Sequence, residues 1–203
     1  MKILHLESGL FVEQSVSRQL SQQIVQRLLA KNPDAQVITR DLVQNPISHL
    51  DAEILMAGGT AAAERSERQS IESALTETLL EELFAADVIV IGAPMYNFTI
   101  PTQLKAWIDR VAQAGRTFEY TEQGPRGLVT GKRVFVASAR GGVYSEGVAA
   151  AMEHQESFLT TVLGFLGMSD VTIVRAEGVN LGDEARANSI TAATHSIQSI
   201  EAA

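Results

Sequence analysis

The 203-residue chain contains no cysteine, which excludes disulfides, thiol redox chemistry and thiolate metal sites. It has no run of about 18 apolar residues, the length a membrane-spanning helix needs. Its start, Met1 to Leu6, is apolar only until Glu7, and no small-residue cleavage site follows, so it reads as a first strand and not as a signal peptide. Basic residues are few. Lys and Arg number 16 against 24 Asp and Glu, a net charge of −8 that favours solubility and argues against a nucleic-acid-binding face. The histidines, His5, His49, His154 and His195, are scattered without ligand spacing, so no metal site is expected. No G-x-S-x-G elbow points to a hydrolase, and no G-x-G-x-x-G marks a dinucleotide fold. Gly131-Lys132 is followed by Arg133 and an apolar stretch, where a P-loop needs Ser or Thr and then a helix. With no cysteine and no targeting segment, a cytoplasmic location is the simplest inference.

What is present is an ordinary globular balance, 45% hydrophobic and 20% charged, enough for one core and one domain over residues 1–203. Strands are predicted from Lys2 to Leu6, Gln36 to Thr39, Asp87 to Ile91, Arg133 to Ser138 and Val171 to Ala176. Between them the spacing predicts a helix from Ser15 to Ala30, with Leu20, Ile24, Leu28 and Leu29 on one side. It predicts a long amphipathic helix from Arg65 to Phe84, with Ile71, Leu75, Leu79 and Leu83 inward, and further helices over Thr102 to Gln113, Ala149 to Leu166 and Asp183 to Ser199. A loop from Glu7 to Gln14, a loop with a short helix from Pro46 to Gly59, and a hairpin around Gln123-Gly124-Pro125 complete the chain. Alternating strands and helices imply an α/β, doubly wound, five-stranded parallel sheet of flavodoxin-like order 2-1-3-4-5 with a short hairpin insertion.

In such a sheet the loops after the first, third and fourth strands meet at one rim, where ligands bind. The first loop carries Ser8-Gly9 and then Ser15-Val16-Ser17. Two hydroxyls at a helix start, beside free N–H groups, suit a phosphate, and Arg18 would add charge; the plainer alternative is an ordinary N-cap. The third strand, Val88-Ile89-Val90-Ile91, leads into Pro94-Met95-Tyr96-Asn97-Phe98, where two aromatics and an amide suit a flat, hydrogen-bonding ring such as a flavin; the alternative is core packing under a loop. After the fourth strand, Ser138-Ala139-Arg140-Gly141-Gly142-Val143-Tyr144 lets backbone N–H groups approach one edge of a ring, or else forms a flexible turn. In this order the loops offer a phosphate end, a ring and a ring edge, which together fit a flavin mononucleotide lying along the rim.

Ala93-Pro94-Met95-Tyr96-Asn97-Phe98, the Ser15/Ser17 pair, Arg140-Gly141-Gly142, Phe118-Glu119-Tyr120-Thr121-Glu122-Gln123-Gly124-Pro125, Gly127-Leu128-Val129-Thr130-Gly131-Lys132 and Ala176-Glu177-Gly178 occur together and in order. In these the chain resembles, essentially end to end, the bacterial FMN-dependent NADH-azoreductases, which are flavodoxin-like NADH:quinone oxidoreductases. The resemblance implies non-covalent FMN, NADH as donor, ping-pong reduction of quinones and aromatic azo compounds, and a homodimer with flavin sites near the subunit interface. By position it implies a phosphate held by Ser15, Val16 and Ser17, with Ser8 and Gly9 beside it. Met95 to Phe98 would line the ring, and Ala139, Arg140, Gly141 and Gly142 would meet its polar edge. Tyr120 and Val162 would wall the substrate pocket. Relatives often have serine at the positions of Gly9 and Ala139, and some have an aromatic at that of Val162; Ser8 would partly replace the missing hydroxyl. No residue stands out as an obligatory acid or base, since hydride transfer rests chiefly on stacking and orientation. The competing reading is a flavodoxin-type electron carrier, which has no need of the extra wall formed by Val43 to Ser70 and the hairpin; a flavin-binding regulatory or scaffold protein is a third.

Overall fold

The computed structural model describes residues 1–11 and 14–200. Val12 and Glu13 of the predicted first loop, and residues 201–203, lie outside the described residues. The strands are β1 (Lys2–Glu7), β2 (Gln36–Asp41), β3 (Val88–Pro94), β4 (Phe118–Thr121), β5 (Gly124–Gly127), β6 (Arg133–Ala139) and β7 (Asp170–Ala176). The helices are α1 (Val16–Lys31), α2 (Ala52–Ala57), α3 (Glu67–Ala85), α4 (Thr102–Val111), α5 (Glu156–Leu166) and α6 (Asp183–Gln198). Five strands form one parallel sheet in the order β2-β1-β3-β6-β7, and β4 and β5 form a separate antiparallel hairpin. This is the expected 2-1-3-4-5 order once the hairpin strands are counted in the numbering.

Two apolar layers hold the sheet between helices. On one face α1 and α6 bury Leu20, Ile24, Leu28, Ala193 and Ile197 against Val90, Phe135 and Val174. On the other, α3, α4 and α5 bury Leu79, Leu83, Trp107, Leu159 and Leu163 against Ile89, Ile91 and Val136. β3 is buried along its whole length, as expected for a central parallel strand read as a continuous apolar run. Its register, Glu7 beside Gly92 and Pro94 beside Ala139, brings the carboxyl ends of β1, β3 and β6 to one rim. Among the described residues no helix is long and apolar enough to cross a membrane.

Three expectations need correction. The stretch from Ala149 to Leu166 is not one helix: a 3₁₀ turn, Val148–Met152, is separated from α5 by Glu153, His154 and Gln155. The break is made by Glu153, whose carboxylate accepts the N–H groups of Gln155 (2.6 Å), Glu156 (2.7 Å) and Ser157 (3.1 Å) and so caps a new helix start. On α3, Ile71 is 62% exposed, and the buried face runs through Glu72, Thr76, Leu79, Leu80 and Leu83. That face includes polar residues because buried Arg110 of α4 binds Glu72 Oε2 at 2.6 Å and Thr76 Oγ1 at 2.8 and 2.6 Å. In the hairpin, Gly124 and Pro125 lie within β5, and the turn falls one step earlier, at Glu122-Gln123.

Candidate functional site

The first loop meets α1 at Ser15, whose side chain accepts the Arg18 N–H at 3.4 Å and caps the helix. Among the described residues the N–H groups of Val16 and Ser17 find no acceptor, so the helix start keeps free donors and its partial positive charge. The Ser15 and Ser17 hydroxyls stand 3.0 Å apart. Gly9 makes this possible, because a Cβ there would lie 2.2 Å from Ser15 Oγ. Ser8 does not face this space as a substitute hydroxyl: it is fully buried and donates to the Gly92 carbonyl at 2.6 Å. Arg18 also turns away from it. Its guanidinium pairs with Asp41 at 2.5 Å and lies 3.9 Å from Glu7, within a buried group that includes His5 and Ser21. Burial pulls the Asp41 carboxyl up, but the hydrogen bond from Arg18 and the N–H groups of Gln44 and Val43 outweigh it and hold the group below the usual range. Among the described residues, Arg186 of α6 reaches the loop and donates to the Gln14 carbonyl at 3.4 Å.

Beyond β3 the chain makes a two-residue turn. Tyr96 N–H donates to the Thr99 carbonyl at 2.9 Å and Thr99 N–H to that of Tyr96 at 3.2 Å, with Asn97 (φ 48°) and Phe98 (φ 72°) between them. Both central residues have positive φ, as in a type I′ turn. Such a backbone costs on the order of 1–3 kcal/mol per non-glycine residue and persists only where the surroundings enforce it. Here they do: His154 N–H donates to the Phe98 carbonyl at 2.9 Å, and Thr99 Oγ1 donates to the His154 carbonyl at 2.9 Å. The turn leaves the Asn97 amide and the Phe98 ring exposed, with Tyr144 packed edge-on to Phe98 at 6.1 Å. Tyr96 joins the turn to the first loop, its hydroxyl accepting the Leu10 N–H at 3.2 Å.

Beyond β6, the carbonyls of Arg140, Gly141 and Gly142 accept the N–H groups of Val179, Asn180 and Gly178 at 2.9–3.1 Å. The Gly141 and Gly142 N–H groups find no acceptor among the described residues, so this loop keeps two free donors. Ala139 uses its backbone: its carbonyl accepts the Met95 N–H at 2.7 Å, tying the two loops together. The Arg140 side chain points inward and is 1% exposed, bound to Glu156 at 2.6 Å and Glu153 at 3.2 Å, with Glu177 at 3.7 Å. Glu177 in turn accepts the N–H groups of Tyr144 and Ser145 and the Ser145 hydroxyl. Burial raises the Glu177 carboxyl, but the Ser145 and Tyr144 bonds, with Arg175 and Arg140 nearby, prevail and hold it below the usual carboxylate range.

Thus the structure brings Gly9, Ser15 to Ser17, Met95 to Phe98 and Ala139 to Gly142 to one rim, and aims the Ser8 and Arg140 side chains away from it. It does not bring Tyr120 or Val162 there. Tyr120 is 76% exposed on the hairpin and packs through Phe118 onto Phe165, near the last turn of α5. α5 starts at the rim and runs for 11 residues, so its last turn lies about 16 Å away at 1.5 Å per residue. Val162 is half-buried against the core on α5. A cavity of about 440 Å³ lies elsewhere, between α2, α3 and the end of α4, lined by Leu50, Ile54, Leu55, Arg110 and Arg116. Sequence reasoning missed His154, Gln155 and Glu177, which hold the rim loops from behind. His154 and Gln155 sit inside a stretch whose spacing predicts one continuous helix, and Glu177 is a lone acid after the last strand, so neither position carries a signal of such a role.

The rim's donors fit a flavin mononucleotide: free N–H groups and paired hydroxyls at a helix start for a phosphate, and free glycine N–H groups for a ring edge. Over residues 1–200 the chain matches the family described as Flavodoxin-like fold. It is 57% identical over 200 residues to the FMN-dependent NADH:quinone oxidoreductase 1 of Idiomarina loihiensis, covering 98% of this chain and 100% of that one. With the FMN-dependent NADH:quinone oxidoreductase of Azospirillum brasilense it shares 55% identity over 202 residues, 98% and 97% of the two chains. The crystal structure of an azoreductase from Bacillus anthracis str. Sterne superposes with a TM-score of 0.89 at 30% identity, over 98% of this chain and 97% of that one. An FMN-dependent NADH-azoreductase from Bacillus anthracis str. Ames Ancestor, solved in complex with FMN, gives 0.87 at 26% identity, over 97% and 95%. The chain therefore belongs to the flavodoxin-like family and, within it, groups with the FMN-dependent NADH:quinone oxidoreductases.

Proposed function

We propose that this protein is an FMN-dependent NADH:quinone oxidoreductase that also reduces aromatic azo compounds by ping-pong turnover. One observation carries the reading: among the described residues unpartnered donors stand at both ends of the rim, at Val16 and Ser17 and at Gly141 and Gly142, with the exposed Asn97-Phe98 turn between them. Bound FMN would supply the redox chemistry, taking two electrons from NADH and releasing them to the acceptor. Ser15, Ser17 and the start of α1 hold the phosphate. Met95 to Phe98 seat the ring, and Gly141 and Gly142 give N–H bonds to its electron-rich edge, which favours the reduced form. One open face then serves donor and acceptor in turn, consistent with a chain that has no dinucleotide fingerprint of its own.

The functional unit of this reading is a homodimer. Tyr120 stands too far from the rim of its own chain, so it and Val162 would wall the pocket of a second copy. Exposed Leu50, Leu55, Met56 and Ile71 give α2 and α3 an apolar surface suited to such a contact. The test is anaerobic mixing of the yellow protein with NADH. Rapid bleaching, recovery of colour on adding a quinone, and parallel double-reciprocal plots are expected. Inertness to NADH would favour the electron-carrier reading, and intersecting plots would refute ping-pong turnover.

A further inference from the structure

The Gln155 side chain is fully buried, and both ends of its amide are used. Nε2 donates to the Ala93 carbonyl at 2.6 Å, just before the Met95-to-Phe98 loop. Oε1 accepts from Ser138 Oγ at 3.1 Å and from Arg140 Nε at 3.0 Å, just before Gly141-Gly142. The preceding residue, His154, holds Phe98 and Thr99 through its backbone. Glu153, before that, fixes the segment itself by accepting the Gln155 N–H. One short segment between the 3₁₀ turn and α5 therefore grips both ring loops, and its core is an amide that a carboxylate cannot replace, because one end must donate while the other accepts and a carboxylate only accepts.

We infer that Gln155 is a positioning residue for the flavin ring: it fixes the positive-φ Asn97-Phe98 turn relative to the Gly141-Gly142 donors, and thereby sets the ring geometry for hydride transfer without touching FMN. This rests on the ring lying between those loops, as proposed above. Gln155→Met removes both functions of the amide at similar volume. Gln155→Glu keeps the acceptor toward Ser138 and Arg140 and loses the donor to Ala93.

Amide hydrogen exchange of the FMN-free chain reads the loops directly. Gln155→Met should speed exchange about tenfold or more in both residues 95–99 and 141–145, leaving the Phe118–Gly127 hairpin unchanged. Gln155→Glu should loosen residues 95–99 alone. In the FMN-loaded protein, Gln155→Met should slow the limiting rate of flavin reduction by NADH about tenfold or more, because small misplacements of reacting groups are costly. Its FMN dissociation constant should stay close to that of the parent, since the phosphate grip is untouched. Parental exchange in both loops, faster exchange throughout the molecule, or FMN loss in step with the rate would each overturn the inference. If the parent protein is itself not reduced by NADH, the proposed function fails, while the exchange measurement still decides the role of Gln155.

Discussion

At the start of α1 the donors come from neighbouring residues of one helix; at the opposite end of the rim the Gly141 and Gly142 donors are held in place by segments near 95, 154 and 178 that meet only in the fold. The end proposed for the phosphate is thus built by local rules. A serine cap, the orphan N–H groups of a helix terminus and a glycine that clears space for Ser15 are enough. The end proposed for the ring needs long-range partners, because a positive-φ turn and a glycine loop with free N–H groups do not hold themselves. His154, Gln155 and Glu177 supply that support from behind. A locally built end should therefore lose affinity when its own side chains are cut, whereas the end proposed for the ring should lose rate or loop stability when distant residues are changed.

The largest effect is expected at the local end. Ser15→Ala with Ser17→Ala should weaken FMN by about 10²-fold or more, since each hydrogen bond to a charged group contributes about 1.5–3 kcal/mol. Riboflavin, which has no phosphate, should bind both proteins alike. Fluorescence titration with the two flavins measures this, and an unaltered FMN constant would remove the phosphate assignment. A smaller effect is expected for Asn97→Gly. Glycine accepts a φ of 48° without strain, so only the amide is lost. Flavin reduction by NADH should slow about tenfold, in line with one hydrogen bond, with thermal stability kept or raised. Unchanged stopped-flow kinetics would show that the turn shapes the ring site through its backbone alone.

The smallest effect is expected for Glu177→Gln, and it depends on pH. The Glu177 carboxyl lies below its ordinary value, so its stabilising contribution is complete above about pH 4.3, the unfolded glutamate value, and is lost as pH falls through the lowered folded one. The substitution should cost about 1 kcal/mol near neutral pH and less in acid, where the parent has lost the same contribution. Urea melts at pH 7 and pH 3 check this; an equal difference at both values would mean that the charge of Glu177 plays no part in docking Tyr144 and Ser145.

The parallel sheet, its strand order and the rim loops were legible because buried strands and amphipathic helices write their period into the chain, and α1 announced its start at Ser15. What failed to show had non-local causes. Ile71 fits the apolar spacing of α3, yet Arg110 draws Glu72 and Thr76 inward and turns Ile71 out. Glu153 reads as one more acidic residue in a helical stretch, but its carboxylate ends one segment and caps the next. Arg140 looks, in sequence, like a basic residue facing the rim, and only the placement of Glu153, Glu156 and Glu177 behind it explains why it points inward.

The sequence by itself determined the parallel sheet, the site of the rim and the donors at the start of α1, since each follows from periodicity, capping or turn chemistry over a few neighbouring residues. Only the tertiary structure decided that Ser8 and Arg140 turn away from the rim, that Gln155 joins the two ring loops, and that Tyr120 lies far from its own chain's rim. The reason is physical. A buried polar group must find its partner wherever the fold places one, and a distance of 62 residues along the chain, as between Ala93 and Gln155, leaves no local trace of that pairing.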